Sequence, residues 1–313
     1  MTKIKIAFSG IGAVGGYYGG LMASYYKNSE NVEVFFISRG ENLKVIQKEG
    51  LHIHNNGKDI LAIPTIATDK SAEIGPVDYL FCCTKSYDLE ENIKQLMPII
   101  NTKTTIVSLL NGIDNVERIK KLLPDQTIWK GCVYIGARLI KPGLVEKFSE
   151  KERLFFGSSN DDKQKQNELL HLLLNAGINA FNPNDIDTRI WKKFLMISTA
   201  GTITSFYNLP IGKVIAEHSD KFLSLGTELR SIATATGIDL PEDIARTTIE
   251  SQQMMPDNST TSMHTDFIKG RKTELETLTG YVVRLADKVG ISAPTYQYMY
   301  NKLKSEPYPN NET

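Results

Sequence analysis

Three cysteines among 313 residues are too few for a disulfide framework, and two of them, Cys82 and Cys83, sit side by side in an apolar strand pattern. They read as buried thiols in a reducing compartment. Net charge is lacking too. The 36 basic residues balance 36 acidic ones, which leaves no electrostatic footprint for nucleic acid or a membrane surface. No apolar run approaches the roughly 18 residues of a bilayer span, and no internal repeat or long low-complexity tract is present. Lys3-Ile4 runs straight into a strand pattern with no room ahead of it for a signal peptide, so a cytoplasmic protein is expected. His52 and His54 form an HxH pair, but Asn55-Asn56-Gly57 turns the chain back in a hairpin and adds no third ligand. No metal site is expected.

What the chain does have lies in its first forty residues. The strand-like Ile4-Lys5-Ile6-Ala7-Phe8-Ser9 feeds into Gly10-Ile11-Gly12-Ala13-Val14-Gly15, and a helix can follow. Gly10 allows the tight turn out of the strand, Gly12 lets backbone approach a pyrophosphate, and Gly15 lets helix and sheet pack closely. Free N–H groups at the helix start favour phosphate. A second strand, Val32 to Ile37, ends in Ser38-Arg39-Gly40. An NAD site usually places Asp or Glu there, to bind the ribose 2′-hydroxyl. A hydroxyl and a guanidinium suit a 2′-phosphate instead, and no carboxylate is present at that strand end to repel it. The expected cofactor is NADP(H).

Strands and helices alternate through the first half. Strands are expected at 78–84, 104–110, 129–140 and 153–156, and helices at 89–97, 114–123 and 164–175. The continuous apolar run at 79–83 is of the kind found in parallel sheets covered on both faces. Past Phe181-Asn182-Pro183 helical spacing takes over, as in Leu275, Leu278, Val282, Leu285 and Val289, an amphipathic helix stopped by Gly290. The pattern predicts an α/β Rossmann domain, doubly wound and mostly parallel, over residues 1–183, and an all-α domain over 184–313. The polar residues from Ser305 onward are expected to be a loose tail. The substrate is expected between the domains, at the carboxyl ends of the strands.

Several residues could carry chemistry in that setting. Lys85 and Asn111 follow strand ends, where open α/β sheets bind ligands. Trp191-Lys192-Lys193-Phe194 sets two lysines in an otherwise apolar helix, and a lysine held at the substrate can protonate an alkoxide. Taken alone, Ser262 and Glu274 are ordinary helix-start residues.

Gly10 to Gly15, Ser38-Arg39-Gly40, Cys83-Thr84-Lys85, Leu110-Asn111-Gly112, Gly136-Ala137-Arg138, Trp191 to Phe194, Ser262-Met263 and Thr273-Glu274 occur in one order along nearly the whole chain. In that order they resemble the ketopantoate reductase (2-dehydropantoate 2-reductase) family. The resemblance implies that Gly10, Ile11, Gly12, Ala13, Val14, Gly15, Ser38 and Arg39 hold NADPH, with Lys85, Asn111, Ala137 and Glu274 also on the cofactor side. It implies that Lys193 is the catalytic proton donor assisted by Glu274, and that Asn111, Lys193 and Ser262 meet the substrate. The implied reaction is reduction of ketopantoate to D-pantoate, on the route to pantothenate and coenzyme A. A helical second domain often provides a dimer surface, so a homodimer through it is a further expectation.

The chain departs from that pattern at the substrate end. Ile197 and Gly201 stand one and two helical turns after the lysine, where the family commonly has asparagines, and Ile211 and Ser259 replace two more. Asn208, Ser198 and Thr202 are the polar residues nearby that could compensate. The alternatives are a reductase of another branched 2-keto acid on the same scaffold and a non-catalytic NADP(H)-binding protein.

Overall fold

The computed structural model describes residues 3–158 and 162–305. Residues 306–313 of the expected tail lie outside them, as do residues 1 and 2. Two compact units are present: one runs to Leu110 and resumes over Asp114–Ile186, the other takes Asn111–Ile113 and the described chain from Asp187 onward.

The first unit contains β1 (Ile4–Ser9), α1 (Ala13–Tyr26), β2 (Val32–Ile37), α2 (Gly40–Glu49), β3 (Leu51–Asn55), β4 (Lys58–Ala62), β5 (Ile66–Thr68), β6 (Tyr79–Cys82), α3 (Leu89–Leu96), β7 (Thr105–Ser108), α4 (Asn115–Leu122), β8 (Thr127–Tyr134), β9 (Ala137–Lys141), β10 (Leu144–Lys147), β11 (Arg153–Gly157), α5 (Lys163–Asn175) and β12 (Ala180–Phe181). Its main sheet has eight strands in the order β12-β11-β8-β7-β6-β1-β2-β5. Every pairing is parallel except β11 against β8. From β1 the chain steps outward to β2 and β5 on one side, then returns to β6, β7 and β8 on the other. That reversal is the topological switch point of a doubly wound sheet, where ligands bind outside the strand ends.

Alternate residues of these strands enter two separate apolar clusters. Phe8, Phe36 and Phe81 belong to one, and Ala7, Phe35 and Leu80 to the other. The sheet is therefore covered on both faces, as the unbroken apolar runs predict. Cys82 and Cys132 are buried, Cys83 is half-buried, and none of the three is in a disulfide. Burial pushes the Cys82 thiol up to about 12 and the Cys83 thiol well above its ordinary value, so both stay protonated at neutral pH.

The Asn55–Gly57 hairpin forms as expected, with positive φ at Asn56 (49°) and Gly57 (81°), the backbone of a tight two-residue turn. Four strands in the order β4-β3-β10-β9 build a second sheet from it, which the sequence pattern did not suggest. The single strand expected over 129–140 divides accordingly: β8 stays in the main sheet and β9 joins the second. The break falls at Gly136, whose carbonyl accepts from the Phe148 and Ser149 N–H groups and where any Cβ would meet the Phe148 ring at 2.6 Å. Helix α1 lies between the two sheets. Cβ atoms at Gly19 and Gly20 would come within 2.9 Å of Phe8 and 2.4 Å of Ile53 respectively. A helix flanked on two sides needs small residues there and no polar face, which accounts for its AVGGYYGGLMA sequence.

The second unit is helical: α6 (Ile186–Tyr207), α7 (Ile211–Ala235), α8 (Ile244–Gln253), α9 (Ser262–Ile268), α10 (Tyr281–Val289) and α11 (Pro294–Ser305). The helix expected from Leu275 to Val289 opens with a π turn, Glu276–Gly280, before α10, and Gly290 ends it in the left-handed conformation (φ 71°). The π turn carries a side-chain contact from another helix. The buried Ser198 hydroxyl of α6 donates to the Leu278 carbonyl at 2.6 Å, and a side-chain donor at a helix carbonyl competes with the regular ladder. Helix α11, in the stretch read as part of an all-α domain, buries Tyr296, Met299 and Leu303 against this unit's core. Among the described residues, no helix is long and apolar enough to cross a membrane.

Candidate functional site

In the first unit the residues expected to meet a dinucleotide gather at the switch point. The glycine loop follows β1, Ser38-Arg39 follows β2, and Lys85 follows β6, three neighbouring parallel strands whose carboxyl ends point the same way. Gly10 has φ +89°, and a Cβ there would lie 2.7 Å from the Thr84 nitrogen. Turn and strand end therefore touch, and only glycine fits. Gly15 packs equally close, its absent Cβ 2.3 Å from the Gly10 carbonyl oxygen and 2.9 Å from Cys83 Cβ. Gly12 differs: a Cβ there meets nothing within 4 Å. Its smallness serves no protein neighbour, which leaves space for a ligand as the reason.

Gly12 is the N-cap of α1 and no side chain caps that helix. The N–H groups of the first turn, which starts at Ala13 and Val14, have no intrahelical acceptor and suit a pyrophosphate. The buried Thr84 hydroxyl beside Gly10 has no protein partner. These features fit a dinucleotide. Ile11 turns its side chain into the core at 3% exposure, so it contributes backbone.

Asn42 of α2 is a residue that sequence reasoning missed. Its amide donates to the Ile11 carbonyl at 2.7 Å and to the Ser38 hydroxyl at 3.2 Å, while its oxygen accepts from Gly143 N–H at 2.8 Å. One side chain thus pins the glycine loop to the end of β2 and to the second sheet. Arg118 does similar work for the Lys85 loop. Its guanidinium forks onto Glu90, both contacts at 2.7 Å, and donates to the Ser86 carbonyl at 2.7 Å. The fork holds the Glu90 carboxyl below the usual carboxylate range. Ala137 is the first residue of β9, paired with Lys147 in the second sheet.

The strand end after β2 is not free of carboxylates in space, contrary to the sequence expectation. Asp88, from the loop after β6, puts Oδ2 3.9 Å from Arg39 Nη2. The sheet order β6-β1-β2 carries the loops after β6 and β2 to the same end of the sheet and brings together residues 49 positions apart in the chain, which local reading does not see.

In the second unit, Lys193 is half-buried on α6, and Trp191 and Phe194 beside it belong to the core. Asn111 Nδ2 donates at 3.3 Å to Oε2 of Glu274, a carboxylate only 3% exposed. Burying a carboxylate is costly without partners, so the buried and hydrogen-bonded Glu274 is a candidate site residue and not the surface cap that its place in the sequence suggests. Its carbonyl accepts from Thr277 and Leu278, which places it at the opening turn, as expected. Ser262 is the exposed first residue of α9, capped by the Thr261 hydroxyl.

The three proposed compensating residues are engaged elsewhere. Ser198 bonds the Leu278 carbonyl and the Tyr296 hydroxyl, Thr202 bonds Thr279 at 2.8 Å, and all of these are buried. Asn208, in a left-handed conformation (φ 53°), bonds His264 Nε2 at 2.9 Å, and His264 Nδ1 bonds Thr260. Ile211 is a core residue at 2% exposure, and Gly201 faces Met263, whose Cε would lie 3.4 Å from an added Cβ. Polar replacement for the missing asparagines does not come from these residues. His52 and His54 share the second sheet's exposed side, and His54 bonds Asp59 of the same hairpin. Among the described residues, no group of three or more His, Cys, Asp or Glu could hold a metal.

Comparison with known proteins decides the family. The model for the ketopantoate reductase PanE/ApbA domain matches residues 6–161, and the model for its C-terminal domain matches residues 185–306. The chain belongs to the ketopantoate reductase family. It is 40% identical to the 2-dehydropantoate 2-reductase of Porphyromonas gingivalis W83, whose crystal structure superimposes with a TM-score of 0.86 over 97% of this chain and 100% of that one. The 2-dehydropantoate 2-reductase of Pyrococcus abyssi is 28% identical over 314 residues, covering 97% of this chain and 98% of its own. A D-mandelate dehydrogenase solved with NADH and anilino(oxo)acetate shares the fold, with a TM-score of 0.83 at 24% identity over 97% and 98% of the two chains. As a ketopantoate reductase family member, this chain is an oxidoreductase with a Rossmann-type first unit and a helical second one.

Proposed function

We propose that this family member reduces a 2-keto acid with NADPH, and that the acid is 2-dehydropantoate, giving D-pantoate. The observation that carries the substrate is the 40% identity, over nearly the whole length of both chains, to a 2-dehydropantoate 2-reductase. NADPH rather than NADH rests on Ser38-Arg39, which stand directly after β2 where an NAD site usually places an acidic residue. Gly12, the first turn of α1, Ser38, Arg39, Lys85 and Ala137 would hold the cofactor, whose reduced nicotinamide supplies the hydride when bound.

The chain's own residues then have to hold the keto acid and neutralise the growing negative charge on its oxygen. The Lys193 ammonium donates a proton to that oxygen, a contribution of about 100- to 10,000-fold for a well-placed acid. The buried Glu274 carboxylate, steadied by Asn111, keeps negative charge available to the lysine and to the nicotinamide ribose. Ser262, exposed at the start of α9, hydrogen-bonds the substrate carboxylate.

A second reading has an observation behind it. Ile197, Gly201 and Ile211 are apolar or core-facing, and the nearby polar side chains are engaged elsewhere. A site without hydrogen-bonding partners gives up its strongest means of selecting a hydroxylated acid. That favours a branched or aromatic 2-keto acid lacking the hydroxyl. NADPH oxidation measured with 2-dehydropantoate and with apolar 2-keto acids separates the readings: the acid with the highest kcat/KM is the substrate class.

A further inference from the structure

Asp88 occupies the N-cap position of α3, where an aspartate ordinarily accepts from the first free N–H groups, yet its side chain makes no such bond. It stands instead 3.9 Å from the Arg39 guanidinium, and both side chains are open to solvent, 41% and 63% exposed. The turn that presents Asp88 is well held. Asp88 N–H donates to the Lys85 carbonyl at 3.0 Å, Leu89 N–H to the Ser86 carbonyl, and Arg118 to that same Ser86 carbonyl. A carboxylate therefore stands near the end of β2 after all, delivered by the loop after β6, one strand beyond β1, rather than by β2 itself.

Guanidinium and carboxylate favour different dinucleotides. Arg39 suits a 2′-phosphate bearing nearly two negative charges, whereas Asp88 repels that phosphate and can accept a hydrogen bond from a 2′-hydroxyl. We propose that Asp88 is a specificity-determining residue that weakens the preference for NADPH set by Arg39 and lets NADH enter the same site. This rests on the reading of Arg39 as the 2′-phosphate partner. A 2′-phosphate held by that guanidinium would feel the Asp88 charge within roughly one Debye length, about 8 Å at physiological salt. Removing the carboxylate should then tighten NADPH about three- to tenfold, and salt should erase most of that gain.

The test titrates the intact protein with NADPH and with NADH, following dinucleotide fluorescence at low and at high ionic strength. The variants are Arg39→Ala, Asp88→Asn and Asp88→Ser, the last keeping a hydroxyl that can cap α3. The expected result is that both Asp88 variants bind NADPH about three- to tenfold more tightly at low salt. NADH affinity should be unchanged or weaker, and the NADPH gain should shrink at high salt. Arg39→Ala should weaken NADPH much more than NADH. If Arg39→Ala moves both dinucleotides alike, the 2′-phosphate reading itself fails, and the role of Asp88 with it. If Arg39→Ala behaves as expected but the Asp88 variants leave NADPH affinity unchanged, lower it, or raise both affinities equally, the role of Asp88 is overturned while the reading of Arg39 stands.

Discussion

Alanine at Gly15 and alanine at Gly12 should injure this protein in different ways, and the structure says why. At Gly15 the new methyl carbon would sit 2.3 Å from the Gly10 carbonyl oxygen and 2.9 Å from Cys83 Cβ. Ordinary contact begins near 3.4 Å, so helix α1 or the glycine turn must retreat by roughly 1 Å, an overpacking that costs about 1–3 kcal/mol. Both obstacles are anchored, one a backbone carbonyl and the other a side chain at a strand end, so the upper half of that range applies. In a unit of this size each kcal/mol lowers Tm by roughly 2–4 °C, so Gly15→Ala should melt about 5–10 °C below the wild type. At Gly12 the methyl meets no protein atom within 4 Å. Loss of a tolerated N-cap residue costs about 1 kcal/mol or less, so Tm should fall by under about 3 °C. The same methyl stands where a pyrophosphate would approach the backbone, and NADPH affinity should fall at least about tenfold, or 1.4 kcal/mol. Thermal melts without dinucleotide and fluorescence titrations with NADPH measure the two effects separately. A Gly12→Ala protein that binds NADPH like the wild type, or one that melts as low as Gly15→Ala, would refute the reasoning.

Two further outcomes concern the helical unit. Ser198→Ala removes the donor to the Leu278 carbonyl and strands the buried Tyr296 hydroxyl, so urea denaturation should show a loss of about 1–3 kcal/mol; a neutral result would mean that these two buried bonds contribute no net stability. Burial pulls the His264 imidazole below its usual range, so the folded state disfavours its protonation. The stability this contributes is complete above the unfolded value of about 6.5 and is lost as pH falls through the lower folded value. His264→Gln should therefore flatten the acid side of the stability profile, and an unchanged profile would remove His264 from the account.

Sequence alone revealed the features whose causes are local. The glycine loop, the hairpin at Asn56-Gly57 and the apolar strands of the main sheet each announce themselves within a dozen residues, because turn geometry and burial act over that range. What stayed hidden is made by distant residues. Asn42 reaches Gly143 across 101 positions, Arg118 reaches back to Ser86 across 32, and β9 leaves the main sheet for a partner the pattern does not name. At the substrate end, Ser198, Thr202 and Asn208 look available in sequence and prove to be engaged once Leu278, Thr279 and His264 are placed. Asp88 is the sharpest instance: an ordinary helix-start aspartate in the chain, and a neighbour of Arg39 in the fold.

The account turns on Lys193 protonating a 2-keto oxygen. Steady-state NADPH oxidation with 2-dehydropantoate and a set of apolar 2-keto acids, run on wild type and Lys193→Ala with NADPH affinity determined in parallel, tests this most directly. Robust turnover of at least one 2-keto acid is predicted, with kcat lowered about 100-fold or more in the variant and NADPH affinity nearly unchanged. Turnover of none of these acids by the wild type, or a variant as fast as the wild type, would contradict it.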